Sequence, residues 1–230
     1  MVRAGLLAVL AGIPLPAEGA CRLALELAFD VSRSVDAADY SVQRKGLVLA
    51  LQDPEIRAAF LGPEDHVAIA VYEWSGRRHQ EVVVGWTEVT SEADLDHVAG
   101  VIAAREGWGY GLPTAIGYAL EFGRQLFDEA PDCVARVIDV SGDGRNNEGM
   151  SPADAYRRKD FGDILVNALA IGGHEADIVA YYRGEVIRGR GAFVEVAPQH
   201  TDFPRAIRRK LMRELAEQVL GQAENVERGG

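Results

Sequence analysis

The chain has 230 residues, 48% hydrophobic and 26% charged, which is enough for one large α/β domain with a sizeable core. A net charge of -11 and a sequence pI near 4.9 repel phosphate backbones and anionic lipid, which argues against nucleic acid or a membrane face as partner. Such a surface does tolerate a bound cation.

Residues 1–20 read as an export signal: Arg3 is the only early charge, Ala4 to Leu15 is mostly apolar, and Pro14 and Pro16 precede Ala17-Glu18-Gly19-Ala20. The apolar run is too short to span a bilayer, so no membrane insertion is expected. Cys21 follows directly, as in a lipoprotein, but Glu18 stands where a lipobox carries Leu. A buried N-terminal helix is the other reading of this segment. The expected organisation is a signal peptide over 1–20, one domain over 21–221 and a flexible tail over 222–230, in an exported protein, periplasmic or extracellular.

Apolar strands alternate with amphipathic helices, the signature of a mainly parallel sheet covered on both faces. A strand is predicted over 22–30. Asp36 can cap the next helix, with Asp39 in its first turn and Tyr40, Leu47, Val48 and Leu51 facing the core. A short helical turn follows Pro54. Val67 to Tyr72 and Glu81 to Trp86 are strands, and the short linker Ser75 to Gln80 makes them an antiparallel hairpin at the sheet edge. Ser91 with Asp94 starts a helix ending near Arg105. A Gly-rich loop over 106–113 leads through Thr114 to a helix over 115–129, with Ile116, Leu120 and Phe127 as core candidates. Val134 to Val140 is a strand that breaks at Ser141-Gly142-Asp143-Gly144. A helix near 151–161, a strand over 165–171, a helix over 175–183 and a strand over 192–196 follow. The last helix, about 202–220, spaces Phe203, Ile207, Leu211 and Leu215 at i+4, with Arg205, Arg208, Arg209, Lys210 and Arg213 as a solvated basic face.

The chain has two cysteines. Cys21 lies 9 residues before Asp30 and Cys133 lies 10 before Asp143, each opening an apolar segment. On neighbouring parallel strands the two thiols sit at the same end of the sheet and can pair. The odd offset places at least one of them outside the regular pleat, so two separate buried thiols remain the other reading.

Phe29-Asp30-Val31-Ser32-Arg33-Ser34 holds the pattern D-x-S-x-S. Hard oxygen side chains gathered where a buried strand surfaces suit a small divalent cation, although Asp and Ser also populate ordinary turns. Asp30 and Asp143 both fall at carboxyl ends of strands, and Thr114 enters the helix before the second of them. In an open parallel sheet, that is where ligands bind. Together these segments offer two carboxylates and three hydroxyls.

With a distant Thr and a later Asp-Gly, this arrangement resembles the von Willebrand factor A domain and its metal-ion-dependent adhesion site (MIDAS), over about 21–220. Tyr72-Glu73-Trp74-Ser75-Gly76 and Val137-Ile138-Asp139-Val140-Ser141-Gly142-Asp143-Gly144 further resemble DUF1194, a bacterial family of von Willebrand-like domains. The resemblance implies a Rossmann-like α/β three-layer sandwich with a six-stranded sheet in the order 3-2-1-4-5-6, strand three antiparallel. That order would place strands one and four side by side, which supports a Cys21–Cys133 disulfide. It implies one ion, Mg²⁺ or Mn²⁺, held by Asp30, Ser32, Ser34, Thr114 and Asp143. It also implies a protein partner that presents Asp or Glu. Ser141-Gly142 departs from the pattern, since adhesive members often carry Thr directly before the Asp.

Around that site, Glu73, Trp74, Trp108, Tyr110 and Asn146 are candidates for a partner-binding rim, and Glu73 and Trp74 read equally well as packing residues. Asp139, mid-strand, reads as a buried carboxylate bonded to backbone or Ser. His174 falls near the site but reads better as a surface loop histidine; His66, His97 and His200 have no motif around them. The rival function is a Mg²⁺-dependent hydrolase of a phosphate ester with Asp30 or Ser32 as nucleophile. The chain lacks a G-x-S-x-G elbow, a Walker loop and H-E-x-x-H. A periplasmic solute-binding protein usually needs two lobes, and the sequence shows one.

Overall fold

A computed structural model describes residues 20–62, 65–106, 111–173 and 175–228, with side chains described through Ala216. The leader 1–19 lies outside the described residues. Six strands form one sheet: β1 (Cys21–Asp30), β2 (His66–Trp74), β3 (Gln80–Val89), β4 (Cys133–Gly142), β5 (Leu165–Ile171) and β6 (Val194–Ala197). Their order is β3-β2-β1-β4-β5-β6; β3 runs antiparallel to β2 and every other pair is parallel. The order is as the family resemblance implies, and the edge hairpin is as the short linker before β3 predicts. β1 is buried along its whole length at the sheet centre.

Helices α1 (Ala37–Gln52), α2 (Pro54–Phe60), α3 (Glu92–Ala104), α4 (Ile116–Leu126), α5 (Pro152–Arg158), α6 (Ile178–Tyr181) and α7 (Phe203–Arg228) cover both faces. Asp36 caps α1 through hydrogen bonds from the Ala38 and Asp39 N–H groups, and Ser91 with Asp94 forms a capping box on α3. Strand alternation sorts the core in two. Leu23, Leu25, Leu27 and Phe29 pack with α1, α2, α3 and α7, while Ala24 and Ala28 pack with α4, α5 and α6. The second face carries small residues because α4 presses close to the sheet. A Cβ on Gly123 would lie 2.6 Å from Glu26 Oε2 and from Tyr72 Oη.

Some boundaries differ from the sequence expectation. The 175–183 helix begins only at Ile178, because Asp177 takes φ 59°, a left-handed conformation that no helix continues through, and a π turn then extends it over Tyr182–Val186. The helix near 151–161 stops at Arg158, where Lys159 turns extended and Asp160 Oδ1 accepts from the Gly162 N–H at 2.8 Å. α7 stays helical past Gly221 to Arg228, over a segment without proline and rich in helix formers.

Cys21 and Cys133 form a disulfide, directly opposite each other in the β1–β4 ladder with Cα atoms 4.5 Å apart. The β1–β2 ladder shifts register between Cys21 and Leu23, and Cys21 shares the face of Ala24 and Ala28 rather than that of Leu23 and Leu25, so Cys21 lies outside the regular pleat as expected. Within the β1–β4 ladder the odd offset falls at the other end: β4 ends at Gly142, and Asp143 sits one residue beyond the ladder.

Candidate metal centre

Three loops meet beyond the carboxyl ends of β1 and β4. Asp30 ends β1 fully buried, and its Oδ1 accepts the Ser32 N–H at 2.7 Å, a local turn that swings both serines over the strand end. The Arg33 N–H donates to the Leu112 carbonyl at 2.8 Å, tying this loop to the segment before Thr114. The Thr114 N–H donates to Asn147 Oδ1 at 2.9 Å, and its carbonyl accepts the Asn147 N–H at 2.9 Å, which ties that segment in turn to the loop after Asp143.

All five predicted ligand residues converge. Thr114 Oγ1 lies 3.1 Å from Ser32 Oγ, Ser32 Oγ lies 3.4 Å from Ser34 Oγ, and Ser34 Oγ donates to Asp143 Oδ1 at 2.5 Å. Asp30 Oδ2 is buried without a hydrogen-bond partner. Ser34, Thr114 and Asp143 line a cleft of about 400 Å³ together with Arg33, Leu112, Asn147 and Glu175. Burial and then the charge of Asp143 push the Asp30 carboxyl up to about 8, against the opposing hydrogen bonds from Ser32 and the Asp143 N–H. An orphaned buried carboxylate oxygen beside three hydroxyls and a second carboxylate is a donor set that fits a hard divalent cation. Among the described residues, no cluster of three His, Cys, Asp or Glu offers an alternative metal site.

The family model described as "Protein of unknown function (DUF1194)" matches residues 20–219. The chain belongs to the DUF1194 family. No curated protein matches it in sequence. Among solved structures it is similar to proximal thread matrix protein 1 from the mussel byssus with a zinc-occupied MIDAS motif, at 16% identity and TM-score 0.62, covering 86% of this chain and 49% of that one. It is also similar to a von Willebrand factor type A protein from Catenulispora acidiphila (16%, TM-score 0.59, 86% and 43%). A third is the ArnB paralog VWA2 from Sulfolobus acidocaldarius (13%, TM-score 0.56, 83% and 45%). This DUF1194 chain therefore has the von Willebrand A fold, and it spans about half the length of those structures or less.

The other residues singled out in the sequence fall in different places. Trp74 is completely buried in the core beneath the site and is no rim residue: it ends β2 on the same face as Tyr72, which packs inward. Glu73 is buried too; it accepts from the Tyr40 hydroxyl at 2.6 Å and pairs with Arg105 at 3.1 Å. Asn146 Oδ1 accepts from the Gly117 N–H at 3.3 Å, and its Nδ2 donates to the Glu148 carbonyl, so it shapes the turn while Asn147 faces the cleft. Trp108, Tyr110 and His174 lie outside the described residues. Asp139 is bonded neither to backbone nor to Ser; it meets the buried Lys210 ammonium at 3.2 Å. Lys210 therefore leaves the solvated basic face. Arg208 pairs with Asp53 and Glu55, and Arg209 with Glu195.

Two residues that the sequence did not single out stand behind the ligands. His200, buried just before α7, places Nε2 3.7 Å from Asp143 Oδ2 and Nδ1 3.5 Å from Asp39 Oδ1. Tyr182 is buried against Asp30 and Asp143, and burial followed by their charges holds its hydroxyl well above the usual phenol range, so it stays neutral. The departure at Gly142 has its reason here. A Cβ at that position would lie 2.4 Å from Tyr182 Oη and 3.0 Å from Asp30 Oδ2. Glycine leaves the room that the tyrosine hydroxyl takes.

Proposed function

We propose that this chain is an exported binding module. In this reading Asp30, Ser32, Ser34, Thr114 and Asp143 hold one divalent cation, Mg²⁺ or Mn²⁺, and an Asp or Glu of a protein partner completes its coordination. The observation that carries the reading is the convergence of three hydroxyls and two carboxylates, of which Ser34, Thr114 and Asp143 line the cleft while Ser32 and Asp30, with its unbonded Oδ2, are buried beside them. Because several of the protein donors are neutral hydroxyls, a cation held there keeps enough charge to attract an additional anion. The zinc-occupied MIDAS motif of the mussel matrix protein, on the same fold, supports a divalent cation in this position. All-oxygen ligation favours the harder Mg²⁺ or Mn²⁺. The signal-like residues 1–20 and the Cys21–Cys133 disulfide support export, since disulfides persist in oxidising compartments.

For the hydrolase alternative, Ser32 would need a base. Its hydroxyl meets those of Thr114 and Ser34 and also hydrogen-bonds the Asp30 carboxyl, so the group that could serve as base belongs to the same proposed ligand set. The test is calorimetric titration of Mg²⁺ and Mn²⁺ into the oxidised protein beside Asp143→Ala and Ser32→Ala. Binding in the parent that both variants lose supports the reading. An athermal, unshifted titration in all three, each folded by circular dichroism, overturns it.

A further inference from the structure

The cleft carries a second recognition element that the metal-ligand set does not use. Arg33 is the residue between the two serines of Asp30-Val31-Ser32-Arg33-Ser34, so the turn that aims the hydroxyls also sets its backbone. Its main-chain N–H is tied to Leu112 and its Nε donates to the Gly111 carbonyl at 2.9 Å. One of the five guanidinium N–H donors is thereby spent on fixing the group, and the other four remain for a ligand. The exposed side chain lines the same cleft as Ser34, Thr114 and Asp143.

Charge on the cleft walls decides what it would take. Among the described residues, no carboxylate lies within ion-pairing distance of Arg33. Besides Asp143, the acid on the cleft is Glu175, which pairs with Arg145 at 3.4 Å, and the Arg145 guanidinium also rests over the Tyr181 ring at 5.1 Å. A chain of net charge -11 thus presents an uncompensated guanidinium beside its proposed cation position. Clefts focus such local fields, and a guanidinium fork matches a carboxylate in two parallel hydrogen bonds.

We propose that Arg33 makes this cleft selective for a protein segment bearing two neighbouring carboxylates, one for the cation and one for the guanidinium. The inference rests on the metal-dependent reading above. It is tested on the whole oxidised protein saturated with Mg²⁺, titrated with blocked peptides of equal length. These carry one Asp, two Asp adjacent or one residue apart, or one Asp and one Lys. A two-Asp peptide is expected to bind roughly tenfold or more tightly than the one-Asp peptide, the size of one charge-assisted hydrogen bond. Arg33→Gln is expected to collapse that ratio to near unity, and Arg33→Lys, which keeps the charge but not the fork, to preserve part of it. Equal affinities in the parent overturn the proposal, as does a ratio that survives Arg33→Gln. Tightest binding by the Asp/Lys peptide overturns it in favour of recognition by Glu175. Should Arg33→Gln lose Mg²⁺ binding, the Arg33→Lys ratio decides: unity there refutes, a retained excess supports. Failure of every peptide on a protein that binds Mg²⁺ would instead reject the carboxylate reading of the metal site, and this inference with it.

Discussion

The disulfide offers the sharpest quantitative check on the fold. Cys21 and Cys133 are separated by 112 residues and join the first strand to the fourth at the end of the sheet opposite the candidate site. In the chain-entropy model the lost freedom of the unfolded chain is about 2.1 + 1.5R ln n cal/mol/K, which for a loop of this length is about 16 cal/mol/K, or about 5 kcal/mol at 25 °C. This figure is a ceiling, because residual structure in the reduced unfolded chain lowers it. The perturbation is Cys21→Ala/Cys133→Ala, which leaves no single thiol to mispair. Both side chains are small and buried at a strand start, so the packing loss is minor beside the entropy term. Urea unfolding followed by tryptophan fluorescence reads the midpoint. With a slope of about 2–3 kcal/mol per molar urea, the midpoint should fall by up to about 1.7–2.5 M. A fall corresponding to less than about 1 kcal/mol would refute the reasoning, and would mean that strand pairing alone already constrains the two ends.

Three further outcomes follow from buried polar groups. Lys210→Ala leaves Asp139 and Glu214 buried together without their cation, a loss of about 3–5 kcal/mol for a broken buried pair, and calorimetry should show a melting temperature lower by roughly 6–20 °C. Glu26 is buried with neither carboxyl oxygen hydrogen-bonded, and burial raises its pKa well above the ordinary value. The native state then keeps a proton that the unfolded chain releases above about pH 4.3, so the parent loses stability as pH rises from there. Glu26→Gln removes that slope and should gain on the parent between about pH 4.5 and 8 in urea midpoints; parallel pH curves would contradict it. Gly142→Ala should destabilise by about 1–3 kcal/mol through the clash with Tyr182 Oη and weaken Mg²⁺ binding. Adding Tyr182→Phe, which removes the oxygen, should recover part of the stability, with a coupling of about 0.5 kcal/mol or more in the double-mutant cycle.

What the sequence made legible was local. The apolar run of β1, the caps at Asp36 and Ser91 and the short turn before β3 each depend on a few neighbouring residues, and each stands where expected. Asp30, Ser32 and Ser34 fall within one turn, so their pattern was visible, while Thr114 and Asp143 were linked to them through their place at the carboxyl ends of the strands and then through the family resemblance. Lys210 was misplaced because lysine is almost never fully buried, and residue type outweighed position. Its position carried the signal: it lies three residues after Ile207 and one before Leu211, on the buried stripe of α7. Strand parity would likewise have placed Trp74 with Tyr72 inside. His200 had no local signal at all, because its contacts with Asp143 and Asp39 exist only once α7 has docked against α1.

The protein buries several carboxylates, and the fold resolves most of them in two ways. Asp139 and Glu214 share the Lys210 ammonium, with Asn167 Nδ2 donating to Glu214 at 2.9 Å, and Glu73 is matched by Arg105 and Tyr40. Glu26, which has no such partner, is held neutral by burial. Asp30 has its pKa raised by burial as Glu26 does, and differs from it in that a second carboxylate, Asp143, adds to the rise. Its internal partners are hydroxyl and backbone N–H groups, its Oδ2 is unbonded, and Asp143 stands near enough to raise its pKa rather than lower it. A core position that gathers two carboxylates, with the His200 imidazole 3.7 Å from the second and, among the described residues, no lysine or arginine paired with either, is unfavourable for stability alone. The lysine and arginine used elsewhere show that this chain can neutralise a buried acid when stability is all that is at stake. Asp143, buried as it is, borders a cleft where those sites have none, and Arg33 stands on the cleft's wall. That contrast, within one molecule, is the strongest physical reason to assign the missing positive charge to a ligand.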